Sequence, residues 1–187
     1  EDDEICIGCA GGVDITMHRD YNLLQPDQNE VFVKILLNGL TGGHSGAEIH
    51  KGLGNSNKIL FKIIADINNL FEIKISDVDG GGLRNAIPRE SSLIISFSKD
   101  HLVKFNNFIK NSSEQYSANF LKTDPNFNLE FNLLDASFSS LSYLDSSDLI
   151  NSINECPNGV FEMSKSIDNL VETSNNLANI KLNDGKL

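Results

Sequence analysis

Between residues 30 and 133 the hydrophobic period of this chain changes in an order that leaves few folds open. Val31, Val33, Ile35 and Leu37 alternate with Phe32, Lys34, Leu36 and Asn38, which predicts a strand well buried on one face and partly on the other. Ile59, Leu60, Ile63, Ile64, Ile67 and Leu70 then recur at helical spacing, behind Asn55 or Ser56 as the cap. Phe71, Ile73 and Ile75 alternate with Glu72, Lys74 and Ser76 as a second strand with one wet face, and residues 77–90, DVDGGGLRNAIPRE, read as a long loop. Leu93, Ile95 and Phe97 form a third strand. Leu102, Phe105, Phe108 and Ile109 mark a second helix with Ser98 as its cap, and Phe127, Leu129, Phe131 and Leu133 alternate as a fourth strand. The order strand, helix, strand, strand, helix, strand predicts the α+β class and a ferredoxin-like split βαβ domain, an antiparallel sheet with two helices. That fold carries no function of its own.

Beyond this unit, residues 136–187 predict an additional, incomplete α+β segment. It holds a short helix near Ser146–Asn154, a turn at CPNGV (residues 156–160), and extended segments from Val160 and Leu170. The sequence NDG, residues 183–185, signals a hairpin turn with only Lys186 and Leu187 to follow. A turn without a returning strand leaves an edge unpaired, so the chain is expected to stop inside a domain. The start, without an initiator methionine, suggests the same for residues 1–29.

A chain of 187 residues with 40% hydrophobic content can bury one sizeable core. A formal charge of −11 and the lack of any Lys/Arg run argue against nucleic acid or an anionic membrane as partner, because binding phosphates needs clustered cations. No apolar run approaches the roughly 20 residues that span a bilayer, and the acidic start is unlike a signal peptide, so a cytoplasmic protein is expected. The small, odd number of cysteines, 3, fits a reducing compartment. Cys6 and Cys9 form a C-x-x-C in a short apolar run closed by glycines, with no second pair, and read as structural.

Two glycine-rich loops remain. The first, TGGHSGAEIHKG, places His44 among Gly42, Gly43 and Gly46 between a strand and a helix. That arrangement is either a turn that happens to contain histidine or a turn shaped to project an imidazole. His44, Glu48 and His50 lack the spacing of a helical H-E-x-x-H, so zinc is not expected there, and the loop lacks the lysine of a P-loop. The second, GGGLRNAIPRE, has three glycines that allow close backbone approach, beside Arg84 and Asn85, which could hold a carboxylate or peptide group. A tight connection with a satisfied asparagine is the plainer reading.

The stretches GCAGG (residues 8–12), GGHSGAEIHKGLGNSNKIL (42–60), GGGLRNAIPRE (80–90), PNGV (157–160) and VETSNNLA (171–178) resemble, in that order, the aminoacyl-histidine dipeptidases. These are the Xaa-His dipeptidases of the carnosinase-like zinc metallopeptidases. The resemblance implies a catalytic domain holding two zinc ions, with a lid domain inserted into it, and places this chain in the lid. Residues 1–29 would then be a lead-in from the catalytic domain, residues 30–135 the ferredoxin-like first half of the lid, and residues 136–187 the start of its second half. The family's zinc ligands would lie before Glu1 and beyond the segment, and its substrate-binding arginine after Leu187, so no metal is expected within the chain and the segment alone would be inactive. By the same resemblance, His44 stabilises the oxyanion formed during peptide hydrolysis and Asn85 binds the C-terminal end of a dipeptide substrate, while Arg84 has a scaffold role. The implied partners are the dipeptide, the catalytic domain and a second copy joined through the lid. Two other readings stay open: a free-standing ferredoxin-like regulatory or interaction module, and the lid of a related tripeptidase or amidohydrolase.

Overall fold

The computed structural model describes residues 11–187; the Cys6–Cys9 pair lies outside them. The strands are β1 (Glu30–Asn38), β2 (Gly43–His44), β3 (Lys74–Gly81), β4 (Ala86–Ile87), β5 (Ser91–Ser98), β6 (Asn128–Leu134), β7 (Gly159–Met163), β8 (Val171–Asn175) and β9 (Asn179–Leu182). The helices are α1 (Ser56–Asn68), α2 (Leu102–Phe120) and α3 (Tyr143–Glu155), with single 3₁₀ turns at Ile49–Lys51 and Lys99–His101. Five strands make one antiparallel sheet in the order β6-β1-β5-β3-β9. Its first four strands have the order of a split βαβ unit, so the α+β, ferredoxin-like reading holds.

The apolar stripe of α1, with Leu60, Ile63, Ile64 and Ile67 at 0% exposure, packs on the sheet against Val33, Ile35, Ile75, Leu93 and Ile95. Asn55 caps this helix, its side chain accepting from the Lys58 amide. Ser98 caps the 3₁₀ turn that leads into α2. The core continues past residue 135: Leu149 and Ile150 of α3 and Ile180 and Leu182 of β9 belong to it. No helix of the described residues is long and apolar enough to cross a membrane.

Two expectations need correction. The second strand begins at Lys74 and runs to Gly81, through the first five residues of the stretch that reads as loop. A β-bulge between Ile75 and Asp77 resets the alternation, so Ser76 is buried against the Ser140 hydroxyl and Val78 rejoins the core. The carboxylates of Asp77 and Asp79 hid this strand, although they lie on its exposed side. The hairpin at 183–185 is also followed by a short returning pairing, although β9 remains an edge of the five-stranded sheet. Asp184 and Gly185 both take positive φ, as a two-residue turn requires, and Lys186 pairs back with Asn183 and with Asp20. The amides of Leu187 and Tyr21 donate across this seam to the carbonyls of Arg19 and Gly185, at 2.9 and 2.7 Å.

Lys58 fastens α3 to α1. Its ammonium donates to the carbonyls of Ile153, Asn154 and Cys156 at 2.9, 2.7 and 2.8 Å, satisfying acceptors that the end of α3 leaves open. Lys58→Met keeps the apolar stem and removes all three bonds. It should lower the unfolding free energy by about 2 kcal/mol, read as a reduced urea midpoint at unchanged slope.

Candidate functional site

The loop that carries His44 leaves β1 and enters α1 on irregular backbone, and one carboxylate holds both its ends. Asp124, fully buried just beyond α2, accepts from the Thr41 amide at 2.8 Å and from the Gly54 amide at 2.9 Å. Within the loop, β2 pairs with β4 so that Gly43 faces Ile87 and His44 faces Ala86. The Ser45 amide then donates to the Asn85 carbonyl at 2.9 Å. The two glycine-rich loops are therefore one unit. Gly42 has φ +64°, and the Arg89 side chain occupies the space a Cβ would need, so glycine is required on both counts.

The His44 side chain is fixed by its own turn. Its Nδ1 accepts from the amides of Gly46 and Ala47, both at 3.1 Å. In the neutral imidazole the proton must then sit on Nε2, which has no partner among the described residues and belongs to an exposed side chain. Glu48 braces the turn by accepting from the His44 amide and from the Lys51 ammonium, each at 2.8 Å. The hydrogen bond from Lys51, and after it that from the His44 amide, hold the Glu48 carboxyl below its ordinary range.

Asn85 is exposed, and its side-chain amide has no hydrogen-bond partner among the described residues. Arg84 forms an ion pair with Asp14 at 2.8 Å on the surface. Of the three glycines before them, Gly80 lets Asn57 approach and Gly81 lets the Ala178 carbonyl approach, so the close surface is the chain itself. His50 is exposed on the 3₁₀ turn, and Glu48 is engaged by Lys51. Among the described residues no group of three or more His, Cys, Asp or Glu side chains is placed to hold a metal ion, so a zinc centre does not fit them. Cys156 is a free, half-buried thiol.

Comparison with known proteins decides what this lid-like unit belongs to. Residues 35–123 match the family described as "Peptidase dimerisation domain". That stretch is similar to a peptidase dimerisation domain. The whole chain is 34% identical to the cytosol non-specific dipeptidase of Escherichia coli (strain K12), over 39% of that protein's length. The crystal structure of aminoacylhistidine dipeptidase from Vibrio alginolyticus superposes on 91% of the chain with a TM-score of 0.87 and 28% identity, and the match covers 35% of that protein. The resemblance to the dipeptidase lid therefore holds, and this chain spans under two fifths of the relatives it matches.

Asp124 and Glu48 organise the two glycine-rich loops, yet neither has the sequence signature of a site residue. Asp124 follows a helix in TDPN, an ordinary turn signal, and the place of Glu48 between two histidines suggests only a metal ligand. Asp124→Ala would strand two amides and should cost about 3 kcal/mol in chemical unfolding. For His44, ring-carbon and ring-nitrogen NMR shifts of the neutral side chain should be those of the Nε2–H tautomer, and an Nδ1–H pattern would show that the turn does not hold the ring in this way.

Proposed function

We propose that this chain is the lid of a cytosolic, zinc-dependent dipeptidase acting on Xaa-His dipeptides, in which His44 and Asn85 face the substrate. The observation that carries the reading is a single unit bearing two unengaged polar side chains: the Nε2–H of His44, aimed by its own turn, and the amide of Asn85 one register step away. Peptide hydrolysis develops negative charge on the carbonyl oxygen, and a preorganised N–H donor in a closed, water-poor cleft stabilises that charge. A donor already locked in one tautomer needs no reorganisation when the charge forms. Asn85, with two N–H groups and a carbonyl, suits the carboxylate end of the dipeptide. Zinc is assigned to the catalytic unit, whose ligands the resemblance places outside these residues. A homodimer through the lid is in keeping with the family's description.

Kinetics of the full-length enzyme test this. His44→Ala should lower kcat by roughly a hundredfold to a thousandfold, the range for one lost oxyanion donor, with metal content and KM little changed. Asn85→Ala should chiefly raise KM, because it binds substrate and transition state alike. An unchanged kcat in the His44 variant would sink the reading.

A further inference from the structure

Two sequence stretches, PNGV and SNNLA, have no part in the site so far, yet both converge on it. Asn158 and Asn176 stand side by side at the open end of the ribbon formed by β7 and β8, one just before Gly159 and the other just after its partner Asn175. Between them and the loops lies Asn55, 5% exposed, whose Oδ1 accepts from the Lys58 amide at 3.2 Å while capping α1. The Asn55 Nδ2 donates to Asn158 Oδ1 at 3.0 Å, to Asn176 Oδ1 at 3.2 Å and to the Leu177 carbonyl at 3.2 Å. Asn158 Oδ1 also accepts from the Leu177 amide at 2.9 Å, which ties the two strands together just beyond the Gly159–Asn175 pair. Asn176 then passes the connection on: its Nδ2 donates to the Ala86 carbonyl at 2.8 Å. Ala86 is the residue paired with His44.

We propose that Asn55, Asn158 and Asn176 form a positioning network that sets the place of the His44 strand through the Ala86 carbonyl. The proposal rests on the reading of His44 as a donor to the reacting oxygen. Its physical basis is the weakness of what it supports. The pairing of β2 with β4 is two residues long and lies outside the five-stranded sheet. A ladder that short has little cooperativity, so its position depends on side chains that reach it. The network instead starts from the cap of α1, whose apolar face is locked in the core, and the amides of Asn55 and Asn176 use donor and acceptor groups in sequence. A shift of about 1 Å in a catalytic group costs on the order of a hundredfold in rate. None of the three asparagines touches substrate in this scheme; they act through the loops.

Asn176→Ala is the test, with Ser174→Ala, exposed on the same ribbon, as the control expected to match the unaltered protein. In the chain described here, the Ser45 amide should exchange with solvent at least tenfold faster in Asn176→Ala, while the core amides of Ile35 and Ile95 keep their protection. In the full-length enzyme, kcat should fall about tenfold to a hundredfold at unchanged metal content. Adding Asn176→Ala to His44→Ala should lower kcat by less than twofold further, since the network acts through that residue. Unchanged Ser45 exchange, or a full additional loss on top of His44→Ala, would overturn the network. If His44→Ala alone leaves kcat unaltered, the donor reading fails instead, and Ser45 exchange decides the network by itself. Should the alanine variant lose protection at Ile35 and Ile95, Asn176→Asp takes its place, because it keeps the acceptor for Asn55 and replaces the donor to Ala86 by a carboxylate oxygen that the carbonyl repels.

Discussion

A side chain that must meet a reacting group from irregular backbone cannot be held by the hydrogen bonds that hold helices and sheets, and the arrangement of this chain follows from that constraint. The segment from Gly39 to Asn55 contains one two-residue strand and one 3₁₀ turn. Its order comes from polar side chains brought in from elsewhere. Asp124 arrives from the end of α2, 83 residues from Thr41 and 70 from Gly54 in sequence, and its two oxygens fix where the loop leaves the sheet and where it joins α1. Burying a carboxylate is costly unless its lone pairs are used, and here two amide donors use them. The sheet and α1 supply the rigid frame; Asp124 transfers that rigidity to the loop.

The frame was legible in the sequence because it rests on periodicity. Every core strand of the split βαβ unit and both of its helices follow from apolar alternation or helical spacing, and the burial of Val33, Ile35, Leu37, Ile63, Ile64, Leu93 and Ile95 repeats that pattern. What escaped was local. The bulge at Ile75 to Asp77 shifts the alternation by one residue, and no composition signal announces such a shift. Leu70 continued the helical spacing on paper, yet it lies beyond the end of α1 and is 40% exposed. The pairing of the edge strand β9 with β3 is not legible in the sequence, because NIKL is short and β3 itself reads as loop beyond Ser76.

The site was legible in a different way. His44 and Asn85 came from resemblance, and the residues alone left each of them an ordinary turn residue as an alternative. The structure adds what neither source contains: the two loops share a ladder, and the His44 ring is held by two amides of its own turn. Polar partners such as Asn176 and Asp124 cannot be found by periodicity, because a single asparagine or aspartate in a loop has the same local signature whether it faces water or a distant carbonyl. Their roles depend on tertiary proximity across about a hundred residues of sequence, such as the 90 between Asn176 and Ala86.

The charge on these supports is as informative as their position. An oxygen that becomes negative near His44 would be opposed by any uncompensated carboxylate nearby, in proportion to proximity and to the dryness of the cleft. Glu48 is a carboxylate close to His44, bonded to the His44 amide itself. Lys51 meets its other oxygen, so the brace contributes geometry with little net field. Asp124 is a carboxylate too, but it is buried behind the loop ends and directs its oxygens at amides. The connection to Ala86 is made wholly of neutral amides, which can hold a carbonyl without placing any charge beside the donor. Aspartate at 176 would put a negative oxygen against the Ala86 carbonyl, and lysine or arginine would bring a cation able to compete with His44 for the developing charge. A neutral amide with one donor and one acceptor end is the side chain that meets both demands at that point, which accounts for a site supported by three asparagines rather than by ion pairs.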